Sequence, residues 1–281
     1  MWKLVITPEY DPYLNMALDE VYFRRAAGHE IGPVVRLYGW NKHSVTIGRF
    51  QDISQAVNLT HCRKHGITIV RRPTGGRLVY HGHDLTYSVA AGLGCEPFQG
   101  GIISCYNVIS RWLVAGLNNL GITASLAAGA AHEIGGERCR ELCFSAASRY
   151  EVVYRGKKLA GSAQMRSAGA MLQQGSIPLR LEADLVVEVM PECSSGPVCR
   201  RLSQSLSARA TSVIEAAGRQ VAWSELANAM KKALYELPYG TVKIHEPTDG
   251  ELAEAREFAR HKYATVWWNH RVPETQIDSA V

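Results

Sequence analysis

A chain of 281 residues, 46% hydrophobic and 20% charged, can bury a substantial core and is not disordered in composition. Its apolar runs stop far short of the roughly 20 residues a membrane span needs, and its first residues carry no signal-peptide core, so a cytoplasmic protein with no membrane contact is expected. The formal net charge of +5 would help attract an acidic partner but is too small to indicate nucleic acid, and no helix-turn-helix signature is present.

Leu14, Ala17, Leu18, Val21 and Tyr22 recur at helical spacing and predict a helix over 11–27, capped by Asp11 and stopped by Gly28. Asp19 and Glu20 on it read as an ordinary solvated or capping pair. Pro33 to Trp40 and Ser44 to Gly48 read as strands joined by a polar turn, with Tyr38 and Trp40 as core or pocket wall; Gln55 to His65 reads as a short helix ended by Gly66. Then comes the stretch around which the chain is organised, residues 69–88. Two β-branched runs flank the Gly75-Gly76 turn, a hairpin-like arrangement in which bare backbone N–H groups and Arg71, Arg72 and Arg77 suit an anionic or carbonyl-bearing ligand. His81, His83 and Asp84 follow at once.

Ile103, Tyr106, Ile109, Leu113 and Leu117 give the longest helical pattern, between Gly101 and Gly121, with Cys105 inside it as a buried, inert thiol. Residues 127–142, rich in Gly and Ala, read as a loop able to close over a substrate. Alternation from Arg149 predicts a hairpin through Gly156 to Gln164, and Gly169 to Leu181 a further strand. Beyond Glu182 helices are expected at 183–189, 209–216, 222–235 and 248–263, with surface connections at 191–197 and 237–247. Strands first and helices last indicate an α+β fold with a mixed or antiparallel sheet and packed helices. Residues 1–222 are expected to form the catalytic domain, with its core at about 30–220, and 223–281 a helical extension packed on the same domain.

Two motifs carry a family resemblance. Arg71-Arg72-Pro-Thr74-Gly75-Gly76-Arg77, with Val-Tyr-His81 and Asp84-Leu-Thr-Tyr-Ser, resembles the signature of the biotin/lipoate protein ligase and octanoyltransferase superfamily. Gly156-Lys157-Lys158-Leu-Ala-Gly161-Ser162-Ala163-Gln164 resembles the segment that carries its active-site lysine, here Lys158. Cys143-Phe followed by Ser-x-Tyr-Glu, and Leu-Gln-x-Gly-Ser-Ile further on, is similar to the LipM-type octanoyltransferases, with Lys262-Tyr-Ala-x-x-Trp-Trp-Asn269 extending the match over nearly the whole chain. Gln174 departs from the family by standing where many relatives have histidine. The resemblance implies a class II biotin/lipoate ligase-like catalytic domain that binds its acyl substrate through Arg71, Arg72, Thr74, Gly75, Gly76, His81, Gly161, Ser162 and Ala163.

It also implies a chemistry. Cys143 attacks the thioester of octanoyl-acyl carrier protein, and a lysine of a lipoyl-carrier protein, such as glycine cleavage H protein or a dehydrogenase E2 domain, then takes the acyl group as an amide. A lysine ammonium lowers a neighbouring thiol's pKa, the role expected of Lys158 together with carbonyl contact. Cysteines 62, 95, 105, 139, 143, 193 and 199, odd in number and scattered, suggest a reducing compartment without disulfides, and no metal site. Against the catalytic reading, Cys143 can also be a buried small residue, and Cys193 in Pro191-Glu-Cys193-Ser-Ser-Gly196 is a rival nucleophile. For His81 a structural, hydrogen-bonded role is preferred over that of a base.

Three other functions compete. An ATP-dependent lipoate–protein ligase needs ATP and Mg, whereas the transferase needs no cofactor. An octanoyl amidotransferase acting between carrier proteins also uses a cysteine. A non-catalytic carrier-binding subunit needs neither Cys143 nor Lys158. The chain is expected to act as a monomer.

Overall fold

The computed structural model describes residues 1–127 and 151–271. Cys143, Cys139 and nearly all of the loop expected at 127–142 lie outside the described residues. Strand β1 (Trp2–Tyr10) leads into helix α1 (Pro12–Ala27), whose first turn is capped by the Asp11 carboxylate accepting from the Tyr13 and Leu14 N–H groups; Gly28 ends it. Then follow β2 (Val34–Trp40), β3 (Ser44–Ile47), α2 (Ile53–Ala56), α3 (Leu59–Lys64), β4 (Thr68–Arg71), β5 (Val79–His81) and β6 (Asp84–Gly92). The long α4 (Ile102–Asn118) precedes β7 (Ser125–Leu126), β8 (Val152–Tyr154), β9 (Lys157–Ser167) and β10 (Ala170–Pro178). The remainder is α5 (Ala183–Glu188), α6 (Gly196–Arg209), α7 (Val213–Ala217), α8 (Trp223–Tyr235), β11 (Val242–Ile244), α9 (Asp249–Phe258), a π-helical turn (Ala259–Tyr263) and α10 (Val266–His270).

Eight strands form one mixed sheet in the order β11-β1-β2-β6-β10-β9-β8-β7. β11 and β2 flank β1 in parallel; the pairs from β2 onward are antiparallel. Helices cover both faces of this sheet, so its central strands are apolar on both sides. Leu37 of β2, Leu85, Tyr87 and Val89 of β6, and Met171 of β10 meet Trp112 and Leu113 of α4 and Met230 of α8 in one core. Tyr38, Ala90 and Leu172, from the same three strands, face Leu18, Val21 and Tyr22 of α1 and Tyr263 in the other. The Trp112 indole donates to the Met230 carbonyl at 2.9 Å, and a Cβ on Gly116 would lie 2.3 Å from the Met230 sulfur, so α4 and α8 touch where α4 has no side chain.

The α+β expectation agrees with this architecture, and four local readings are corrected. The stretch at 69–88 is not a hairpin: β4 and β5 both pair with β3 in a separate three-stranded sheet, while β6 belongs to the large one. The nine-residue β1, the fourteen-residue α6 and β11 had no predicted counterpart. The pair at Asp19 and Glu20 is buried rather than solvated, at 0% and 5% exposure. Finally, Cys193 and Cys199 are joined as a disulfide, against the expectation of none, because the chain reverses between α5 and α6 and brings their Cα atoms within 4.7 Å.

Candidate active site

The turn after β4 is held by its own arginine. The Arg72 guanidinium donates to the carbonyls of Gly75 (2.6 Å) and Arg77 (2.7 Å) and reaches Thr46 on β3, folding residues 72–77 around one cation. Gly76 has a φ of +83°, which favours glycine, and a Cβ at Gly48 would stand 1.9 Å from the Gly76 carbonyl oxygen, so both glycines are required by the close approach. On its other side the turn meets β9, where a Cβ on Gly76 would lie 3.4 Å from Ala163 Cβ. The two motifs that lie far apart in sequence therefore share one wall.

Behind the turn is a buried polar chain. Thr74 Oγ1 donates to Gln174 Oε1 at 2.8 Å, and Gln174 Nε2 donates to Asp19 Oδ2 at 2.7 Å. Asp19 also accepts from Tyr38, from Ser88 at 2.6 Å, and from the Arg36 guanidinium at 3.0 Å, with Arg36 and Asp19 both fully buried. An amide supplies one acceptor and one donor, so Gln174 bridges the turn to α1 without the histidine many relatives have there.

Lys158 opens β9 and runs back along it: a Cβ on Gly161 would lie 3.4 Å from Lys158 Cε and 3.8 Å from its Nζ. Its ammonium donates to Glu151 Oε1 at 2.7 Å, and both side chains are more than nine-tenths buried. The β8–β9 ladder sets this pair, with Val152 opposite Ala160 and Val153 opposite Lys158 across a bulge. Glu151 Oε2 is buried and has no hydrogen-bond partner among the described residues. Next along β9, Ser162 Oγ and the Tyr87 hydroxyl share a 2.6 Å hydrogen bond, and Gln173 donates to the same hydroxyl at 3.1 Å. Burial pushes the Tyr87 phenol up to about 12, so it stays protonated and can donate.

The remaining expected residues have other roles. Arg71 is fully buried and its guanidinium donates only to carbonyls among the contacts seen, including those of Gly48, Gln51, Trp268 and Asn269. Burial, with Arg271 nearby, brings it down to about 10, still charged at neutral pH. Arg71 and Arg72 thus bind backbone rather than present themselves to a ligand, which corrects their expected part in docking an acidic partner; of the three arginines Arg77 is exposed. His81 is held at both nitrogens, by Thr46 at 3.0 Å and Asp84 at 2.9 Å, and stacks on Trp40. This is the structural role preferred for it. Cys193, as a disulfide sulfur, is no thiolate here, and the rival nucleophile falls away in this state. Cys62 and Cys105 are buried, burial raises both thiols, and Cys62 reaches about 11. Among the described residues no group of three His, Cys, Asp or Glu side chains converges as a metal site.

Sequence reasoning missed Glu151, Tyr87, Gln173 and the Asp19 network. For Glu151 a signal existed: an acid and a lysine on opposite arms of a hairpin that turns at Gly156 can meet across it. The others depend on which strands are neighbours.

A two-faced mixed sheet with a glycine-bent turn pressed against a lysine-bearing strand defines the class of protein. Residues 11–235 match the lipoyl protein ligase A/B catalytic domain, and the chain belongs to that family. It is 37% identical over 272 residues to octanoyltransferase LipM of Symbiobacterium thermophilum, covering 96% of this chain and 98% of that one. It is 33% identical over 278 residues to octanoyltransferase LipM of Bacillus subtilis, covering 96% and 98%. Among solved structures, lipoate-protein ligase A bound with ATP superposes with a TM-score of 0.78 at 25% identity, covering 97% of this chain and all of that one. A bi-partite lipoate protein ligase from Thermoplasma acidophilum superposes with a TM-score of 0.77 at 24% identity, covering 99% of this chain and 100% of that one.

Proposed function

We infer that this chain is an acyltransferase that moves an octanoyl group from octanoyl-acyl carrier protein to a lysine of a lipoyl-carrier protein, in protein lipoylation. The observation that carries this reading is the shared wall of Gly75-Gly76, Gly161–Ala163 and Lys158, in a chain related along almost its full length to octanoyltransferases. Backbone N–H groups of the turn and the Lys158 ammonium supply the positive field that a carbonyl oxygen needs as it becomes an oxyanion.

The reaction takes two steps. Cys143, as thiolate, attacks the octanoyl carbonyl, and the carrier's thiolate leaves with the electron pair of the broken C–S bond. The amine of the acceptor lysine then attacks the new thioester, giving an amide and returning the electron pair to the Cys143 sulfur. Energy stored in the first thioester drives both steps, so neither ATP nor another cofactor is needed. The glycine cleavage H protein and the dehydrogenase E2 domains are the acceptors of the right chemistry.

The test is to incubate the protein with octanoyl-carrier protein and a lipoyl-carrier domain, with and without ATP. Transfer without ATP, through a protein heavier by one octanoyl group on Cys143, is expected. Transfer only with free acid and ATP would make the chain a ligase, and no acyl uptake at all would make it a carrier-binding subunit.

A further inference from the structure

The Lys158–Glu151 pair is unequal. One carboxylate oxygen holds the lysine at 2.7 Å, while the other is buried with no hydrogen-bond partner among the described residues. Leaving a buried carboxylate oxygen unanswered costs at least the ~1–3 kcal/mol of an unsatisfied polar group. Nothing in the fold requires that cost, since Glu151 lies in a strand whose backbone is already paired through its carbonyl to the Ala127 N–H. An oxygen kept dry and unpaired beside an active-site lysine suits a donor that arrives with substrate. The donor must carry a proton that the reaction then removes.

We propose that Glu151 is the general base of the second half-reaction, its free Oε2 accepting the proton from the incoming lysine amine. This rests on the transfer reading above. As the amine nitrogen bonds to the octanoyl carbon, the Cys143 C–S bond breaks and its electron pair stays on sulfur. The proton lost by nitrogen goes to Oε2, and solvent later takes it away. Lys158 cannot serve, because its ammonium is a donor, and His81 cannot, because both its nitrogens are engaged. Glu151 thus touches the reacting amine, and through Oε1 it also sets where the Lys158 ammonium sits.

The experiment uses the intact protein loaded as the octanoyl-enzyme, with single-turnover transfer to a lipoyl-carrier domain followed by mass. General-base catalysis contributes about 10²–10⁴-fold, so Glu151→Gln is expected to acylate but to pass the group to the carrier lysine slower by that factor. Hydroxylamine, largely neutral at pH 7 and a strong nucleophile, needs no such base and is expected to discharge the wild-type and Glu151→Gln acyl-enzymes at comparable rates. Glu151→Asp, which keeps the carboxylate, is expected to recover part of the transfer. Three results would overturn the proposal: transfer by Glu151→Gln at the wild-type rate, equal slowing toward lysine and hydroxylamine, or a Glu151→Gln protein that never acylates. If wild type itself takes up no octanoyl group, the functional reading fails first, an outcome distinct from these three.

Discussion

Asp19 is the residue on which most of the buried polar chemistry converges. It answers a fully buried Arg36, whose guanidinium also reaches Thr7 and Asn15, and it anchors Gln174 behind the turn. Asp19→Ala leaves that guanidinium without its counter-charge in the core, and breaking such a pair costs about 3–5 kcal/mol. Urea unfolding is expected to show a fall in the midpoint of that order with the slope unchanged. Gln174 should behave differently. Gln174→Leu keeps the volume but removes the links to Thr74 and Asp19, so octanoyl-carrier KM is expected to rise more than stability falls, and Gln174→His to recover part of the loss. Cys62, buried and with its thiol raised to about 11, is expected to stay unlabelled by iodoacetamide at neutral pH until the protein unfolds, as peptide mass after alkylation would show.

At the scale of elements, the turn at 72–77 is a joint between two sheets. Its seat is the end of β3, where Gly48 lets the chain pass under the Gly76 carbonyl at a distance no side chain tolerates. Gly48→Ala must move one backbone away from the other, a change no rotamer can relieve. Acyl transfer is expected to fall at least tenfold while the far-UV spectrum stays native; unchanged activity would show that the turn does not line the acyl site. The C-terminal elements matter for the same joint. Asn269 of α10 accepts from the Arg71 N–H at 2.7 Å, and the Trp268 indole donates to the Arg71 carbonyl at 2.8 Å, so α10 completes the edge of the small sheet.

For the whole molecule, charge and acid stability follow from which ions are buried. Glu20 is pulled up by burial, but Lys262, Tyr263 and Arg24 together hold it below its ordinary value. A carboxylate whose pKa is lower folded than unfolded stabilises the fold above the unfolded value of about 4.3 and loses that contribution as pH falls through its folded value. Asp84, held down against burial by His81, Ser176 and Thr86, adds to the same slope. Thermal unfolding is expected to show a midpoint that falls from neutral pH to about pH 3, and Glu20→Gln to be less stable at neutral pH with a shallower fall. Attraction of an acidic carrier, by contrast, must come from exposed cations. Arg77→Glu is expected to raise the KM for octanoyl-carrier protein and reduce its salt dependence, because exposed charges are screened beyond about 8 Å at physiological ionic strength.

Periodicity and punctuation were legible in the linear chain. Asp11 and Gly28 bounded α1, the 3.6-residue pattern placed α4, and the alternation around Gly156 placed the hairpin that carries Lys158, because these signals are local and the residues that set them are neighbours. The motif residues Gly75, Gly76, Gly161 and Lys158 were also visible, and so was the resemblance to the family. Strand partnership was not. Nothing local tells β4 and β5 to flank β3 rather than each other, or brings β11 beside β1 across 240 residues of sequence numbering, from Trp2 to Val242. Arg71, Arg72, Asp19 and Glu20 were misjudged for the same reason. A charged residue reads as solvated until the tertiary structure shows the carbonyls and counter-ions that surround it, and only burial together with a partner distinguishes a structural ion from a catalytic one. Sequence thus determined the elements, the motifs and the family, whereas the pairing of Lys158 with Glu151 and the meeting of Gly76 with Ala163 were decided by long-range packing.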